Sequence, residues 1–156
     1  MIQAARSGRQ NIAEGSRASA TSSQTELRLV NVARASLEEL LLDYEVFLRH
    51  RRLTLWPLDS SQASAVRGVP RQFRHDQSDR SNPTDLTDLS DQQRWALYAP
   101  WLDNDDAEIR ANAVICLIHQ ANFLLDRQIS ALEKQFVTEG GYSERLAAAR
   151  LAERGR

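Results

Sequence analysis

The chain has 156 residues, of which 42% are hydrophobic, and this size suits one domain with a single core. The 20 basic and 21 acidic residues give a formal net charge of −1, which excludes the overall positive field that draws a whole domain to nucleic acid. No run approaches the ~18 apolar residues of a membrane span, no apolar signal-peptide core is visible, and a lone cysteine cannot form an internal disulfide, so we expect a cytoplasmic protein.

A short first helix is predicted over residues 1–13. Gly15 suits the left-handed position that ends many helices. At about 1.5 Å per residue this helix spans about 20 Å, against about 45 Å for the helix that follows it. Half of the next helix would then lack a neighbour. Two explanations stay open: another chain fills the gap, or the protein begins upstream and Met1 is an internal methionine.

A long amphipathic helix is predicted from Ser23 to Arg52. Ser23 and Glu26 have the spacing of a capping box, and the basic residues at 49–52 place positive charge at the negative end of the helix dipole. Apolar residues recur every three or four positions and form one stripe, which consists of Leu27, Val30, Ala33, Leu37, Leu40, Leu41, Tyr44, Phe47 and Leu48. A stripe of this length must be covered by other helices of a bundle.

The segment 57–89 is predicted to be an irregular insertion. Residues 60–67 have the pattern of one or two helical turns. From Pro70 to Leu89 the chain is rich in Asp, Ser, Arg and Pro and shows no hydrophobic periodicity. We therefore expect little order in that stretch.

A short helix is predicted from Asp91 to about Ala99. Ser90 and Gln93 repeat the capping-box spacing at its start, and the helix is expected to stop near Pro100.

A second long helix is predicted from Asp105 to Thr138, closed by Gly140 and Gly141, and a final short helix from Ser143 to Arg154. Residues 114–118 are apolar almost all round, so we expect the bundle to cover one side of them and a neighbouring subunit another. No strand alternation is visible. Short connectors between the long helices indicate an all-α protein with antiparallel long helices.

The residues predict no catalytic or metal centre. Asp103, Asp105 and Glu108 invite a calcium-loop interpretation, but the loop would need a glycine at position 108 and a carboxylate at position 114. Cys116 and His119 lie one turn apart, yet no second cysteine is present to complete a zinc site, and a packed thiol beside a helical histidine is the better interpretation. No phosphate-binding loop or nucleophile motif occurs.

Two groups of arginines are candidate contacts for nucleic acid or a partner. One surrounds the first turn between helices and comprises Arg6, Arg9, Arg17 and Arg28. The other ends the first long helix and comprises Arg49, Arg51 and Arg52. Either group could contact phosphates, which require charge without base-reading geometry. The alternative is that these arginines are solvated and form salt bridges with neighbouring residues.

Several motifs resemble one bacterial family. Two segments carry the resemblance, residues 7–16 (SGRQNIAEGS) and residues 32–40 (VARASLEEL). They resemble segments of the bacterial four-helix-bundle protein family that is known from intervening sequences of large-subunit ribosomal RNA genes. A second set of motifs resembles the branch of this family that carries a C-terminal suffix. It consists of residues 124–128 (LLDRQ), Phe136, Gly140, Gly141 and residues 144–146 (ERL).

The resemblance implies an antiparallel up-and-down four-helix bundle over residues 1–138, with a truncated first helix, and a suffix helix over 139–156. Such proteins often form rings of five subunits and have no established enzymatic activity. Similar proteins include the accessory determinant of diversity-generating retroelements, which binds nucleic acid and a reverse transcriptase. RNA, DNA or a reverse-transcriptase-like protein are accordingly the expected partners, beside the chain itself.

Within these motifs a polar network between the first two helices is expected, because a carboxylate that faces a core needs a partner. Its predicted members are Asn11, Glu14, Arg34 and Glu39. The predicted function is a non-enzymatic, homo-oligomeric binding or scaffold module without cofactors. The alternative is a purely structural homo-oligomer without affinity for nucleic acid, and an enzyme is the least favoured hypothesis.

Overall fold

Every regular element in the described part of the chain is helical, as the spacing of apolar side chains predicts. The computed structural model describes residues 2–18, 23–78, 84–139, 147 and 150–153. Its helices are α1 (Ile2–Ala18), α2 (Ser23–Arg51), α3 (Ser61–Gln77), α4 (Asp91–Leu102) and α5 (Ala107–Glu139), with a 3₁₀ turn at Leu86–Asp88. The all-α class and the two long helices are confirmed. No described helix combines the length and apolar content that a membrane span requires.

The first helix continues to Ala18, so the prediction that Gly15 ends it is wrong. A β-carbon at Gly15 would lie 3.5 Å from Leu29 Cβ and 3.6 Å from Val30 Cγ2 of α2. Gly8 faces the same helix and is also buried. These glycines therefore serve close packing of α1 on α2 and do not terminate a helix.

A third helix, α3, occupies residues 61–77. The helical turns predicted within residues 60–67 are present, whereas the expectation of little order from Pro70 onwards is wrong for residues 70–77. The helix begins at a cap in which Ser60 Oγ accepts a hydrogen bond from the backbone N–H of Ala63 at 3.1 Å. Ala63 and Val66 are buried, whereas most other side chains of α3 are exposed. Pro70 lies inside the helix. The full length of the helix could not be recognised from the sequence, because its buried apolar residues are the small Ala63 and Val66 and its interior contains Pro70. Residues 79–83 lie outside the described part of the chain.

The fourth helix begins at the predicted capping box. The backbone N–H of Gln93 donates to Ser90 Oγ at 3.2 Å, and the N–H of Ser90 donates to Gln93 Oε1 at 2.8 Å. The helix runs past Pro100 to Leu102. A proline removes one backbone donor, and here the helix continues for two residues despite that loss.

Most of the predicted final helix lies outside the described residues. Within it, 150–153 are helical. The glycines at 140 and 141 and the capping side chain of Ser23 are also outside what the structure describes, so those predictions stay predictions, as do the domain boundaries.

The chain divides into two units, Met1–Leu40 with Ala121–Arg156, and Leu41–Gln120. The core of the first unit joins α2 to α5 and consists of Val30, Ala33, Leu125 and Leu132, with Leu27, Leu37 and Ile129 packed against it. Gln128 donates to Glu26 at 3.2 Å, and Arg34 donates to Asp126 at 2.9 Å. Because residue numbers rise along one helix as they fall along the other, α2 and α5 are antiparallel within this unit.

The core of the second unit is built by α3, α4 and α5. It consists of Ala63, Val66, Ala113 and Cys116, with Trp56, Tyr98, Trp101, Leu102 and Leu117 packed against it. Ile115, Cys116 and Ile118 are each 4% exposed. The chain itself therefore covers these three residues. Val114 and Leu117 of the same stretch are half-buried, and the expected contact of residues 114–118 with a neighbouring subunit stays a prediction.

A buried asparagine ties the segment after α2 to α5. Asn112 is 1% exposed. Its Nδ2 donates to the backbone oxygens of Thr54, at 2.8 Å, and Glu108, at 2.9 Å, and its Oδ1 accepts from the N–H of Trp56 at 2.8 Å. The Glu108 carboxylate accepts from the N–H of Thr54 at 2.8 Å. These bonds satisfy backbone groups of a segment that has no regular secondary structure of its own.

Candidate interaction surface

The basic end of α2, defined as Arg49, Arg51 and Arg52, is exposed. The helix ends there in a Schellman motif: the N–H of Arg52 donates to the Arg49 carbonyl at 3.1 Å and that of Leu53 to the Leu48 carbonyl at 2.9 Å. Arg52 adopts the left-handed conformation, with φ of 56°. The backbone at this end is thereby held by hydrogen bonds, and positive charge lies beside the negative end of the helix dipole.

The guanidinium groups of this basic end are open to an external anion. Among the described residues no ion pair joins them to a carboxylate; the arginines that form ion pairs there are Arg34 and Arg94. The guanidinium carbon of Arg51 lies 5.7 Å from the centroid of the Phe47 ring, a cation–π contact that orients the charge without neutralising it.

Replacing Arg52 with Gly is expected to raise the free energy of unfolding by about 0.5–1 kcal/mol, because a left-handed residue with a β-carbon is strained and glycine is not. Urea denaturation measures the change. Arg52→Ala removes the same charge but keeps the β-carbon, and should give no gain. Equal stabilisation by both substitutions would contradict the conformational explanation and attribute the effect to charge.

The other predicted arginine group lies in the first unit. Arg6, Arg9, Arg17 and Arg28 are all exposed. Arg6 and Arg9 line a surface hollow of about 650 Å³ whose described lining comes entirely from α1. The described lining of this hollow offers a phosphate chain the positive charges of Arg6 and Arg9.

The residues of the predicted polar network, Asn11, Glu14, Arg34 and Glu39, form no hydrogen bonds with one another in the part of the chain that the structure describes. Asn11 donates to Ser7, and Glu14 accepts from Gln10 at 2.9 Å, so both bonds stay inside α1. Arg34 donates to Asp126 at 2.9 Å and to Glu38. Glu39 is exposed. The cross-helix partner of Arg34 in the described part of the chain is therefore on α5 and not on α1.

A polar cluster that was not predicted from the sequence surrounds Arg34. Asn122 Nδ2 lies 3.5 Å from Glu38 Oε2, and its buried Oδ1 has no partner among the described residues. The hydrogen bond to Glu38, followed by the interactions with Asp126, raises the pKa of the Arg34 guanidinium above its usual value. The sequence signal is a pair of i, i+4 polar residues on each helix, 34 and 38 on α2 and 122 and 126 on α5.

Cys116 lies in the buried cluster of the second unit. Burial raises the pKa of its thiol, and the positive charge of Arg67 lowers it by less. Within the described residues no three His, Cys, Asp or Glu side chains come close enough together to hold a metal ion. The environment of Cys116 is that of a packed, protonated thiol.

Comparison with known proteins returned no matching family model, no matching curated protein and no matching solved structure. The resemblance to the four-helix-bundle family thus stays a prediction.

Proposed function

We propose that the chain is a non-enzymatic, cytoplasmic binding or scaffold module that assembles with copies of itself and holds nucleic acid or a nucleic-acid-processing protein. The four-helix bundle and the ring of five subunits that the resemblance implies belong to this proposal, as does a reverse-transcriptase-like partner. The observation that carries it is the basic end of α2, three exposed arginines without an ion-pair partner among the described residues.

Nucleic acid suits this surface on chemical grounds. A phosphate backbone presents closely spaced negative charges, and arginine binds phosphate with two parallel hydrogen bonds. The overall charge of −1 gives no long-range attraction, so binding depends on local contacts at the basic end of α2. Affinity should then fall steeply with salt, since each phosphate contact releases counterions.

Self-association is supported by exposed apolar residues next to that end. Leu42 and Val46 of α2 are 55% and 41% exposed and lie one turn apart. Arg49 follows three residues after Val46, on the same side of the helix. An apolar strip on a soluble helix is a common contact between subunits. The alternative function, a structural homo-oligomer without affinity for nucleic acid, depends on this strip alone.

The test is binding of single-stranded RNA and DNA across a salt series. Changing Arg49, Arg51 and Arg52 together to Ala should weaken binding and reduce the slope of log K against log salt by about 2. A matched variant, Arg6, Arg9 and Arg17 to Ala, removes the same number of charges from the other group and should leave the slope near that of the native chain. Circular dichroism confirms that both variants fold.

Two results would contradict the proposal. Absence of binding by the native chain even at low salt would remove nucleic acid as a partner and leave the structural alternative. Loss of binding only in the Arg6, Arg9 and Arg17 variant would move the contact surface to α1.

A further inference from the structure

A cleft in the second unit is lined by none of the arginines of the basic surfaces described above, although one of its lining residues, Phe47, is the ring that Arg51 contacts. It has a volume of about 280 Å³ and lies between α2, α4 and α5. Its lining includes Tyr44, Phe47, Trp95, Leu102, Arg110 and Val114. Ligand sites are concave, mostly apolar and carry a few polar groups that orient the ligand, and this cleft has that composition.

The aromatic wall of the cleft includes a fixed indole. Trp95 Nε1 donates to Asp103 Oδ1 at 2.9 Å, which occupies the polar atom of the ring and orients it. Trp95 is nevertheless 52% exposed. A large apolar ring held in place beside a concavity loses little conformational entropy when a ligand covers it. This wall therefore favours an apolar ligand body.

Arg110 supplies a positive charge to the cleft. No ion pair joins its guanidinium group to a carboxylate among the described residues. Two nearby carboxylates are already engaged by backbone groups: Asp106 accepts from the N–H of Glu108 at 2.8 Å, and Glu108 accepts from the N–H of Thr54 at 2.8 Å. Arg110 is thus free to balance the charge of a ligand.

One further group in the lining suits an anion. The hydroxyl of Tyr44 has no hydrogen-bond partner among the described residues, and burial raises the pKa of this phenol, so it stays protonated and can donate.

We propose that this cleft binds a small amphiphilic monoanion, a medium-chain or aryl carboxylate, with its carboxylate on Arg110 and its apolar body against Trp95, Phe47 and Val114. One guanidinium group balances one negative charge, which favours a carboxylate over a phosphate dianion. The volume lies just under the usual range of sites for drug-sized ligands, so the ligand has on the order of ten non-hydrogen atoms.

The test is calorimetric titration of the full chain with sodium octanoate and with octanamide, which has the same length without the charge. Octanoate should bind with a Kd of about 1 mM or below, and octanamide about tenfold more weakly. Arg110→Gln should remove the difference between the two probes. Arg71→Gln removes another exposed charge, from α3 and outside the described lining of the cleft, and should leave the difference unchanged.

A second variant tests the cleft itself. Val114→Phe fills the space and should weaken binding of both probes by about tenfold or more. If that variant fails to fold, Arg110→Gln, which changes an exposed residue, still tests whether the cleft distinguishes octanoate from octanamide. Equal binding of octanoate and octanamide by the native chain, or no binding of octanoate, would overturn the proposal. Neither result bears on the nucleic-acid function, which involves other residues.

Discussion

Asn112→Asp is expected to lower the free energy of unfolding by about 3–5 kcal/mol at pH 7, because it leaves a buried charge without compensation. The substitution replaces the Nδ2 donor with an oxygen. That oxygen would face the backbone oxygens of Thr54 and Glu108, which now accept from Nδ2 at 2.8 and 2.9 Å. Urea denaturation followed by far-ultraviolet circular dichroism measures the loss. The loss should shrink in acid, where the new carboxyl group is protonated and can donate again.

A second asparagine on the same helix provides the control. Asn122 is 5% exposed. Within the described part of the chain it makes one hydrogen bond, which is long at 3.5 Å, and its Oδ1 has no partner there. We expect Asn112→Ala to lower the free energy of unfolding by about 2–3 kcal/mol and Asn122→Ala to lower it by about 1 kcal/mol or less. Only the first substitution leaves backbone groups without the hydrogen-bond partners that they now have. Equal losses at the two positions would contradict the assigned role of Asn112.

Leu48→Ala is expected to lower the free energy of unfolding by about 3 kcal/mol, which lies within the range of losses for Leu→Ala substitutions at buried positions. Leu48 is 1% exposed and is the largest of the fully buried side chains that the structure describes. Truncation removes apolar contact and leaves a cavity that the surrounding helices fill only in part. Thermal and urea unfolding at low protein concentration measure the change.

Leu42→Ala provides a matched comparison on the same helix. Leu42 is 55% exposed, and its truncation should change the free energy of unfolding by about 0.5 kcal/mol or less at low protein concentration. If copies of the chain pack on Leu42, the loss should grow as protein concentration rises. A loss at Leu48 no larger than that at Leu42 would contradict the burial of α2 described above.

The two long helices could be predicted from sequence because their apolar residues recur over many turns. The helix α3 could not, since its buried contribution to the core rests on Ala63 and Val66 and its interior carries Pro70. Gly15 was misassigned for a related reason. Glycine at a helix end and glycine at a helix contact look the same in sequence, and only the position of α2 distinguishes them.

The candidate surface was partly predictable. Arginines at the end of an amphipathic helix are expected to be exposed, as Arg49, Arg51 and Arg52 are. The partners of Arg34 were not predictable, because they depend on the register of α2 against α5, which no local pattern sets. The cleft beside Arg110 was also missed, since its walls come from three helices that are distant in sequence.

Native mass spectrometry of the chain with and without a single-stranded RNA, at low salt, tests the proposed assembly and binding together. The proposal predicts particles that are multiples of 17.7 kDa and that gain the mass of bound RNA. A uniform population of 17.7 kDa monomers whose mass does not change when RNA is added would contradict it.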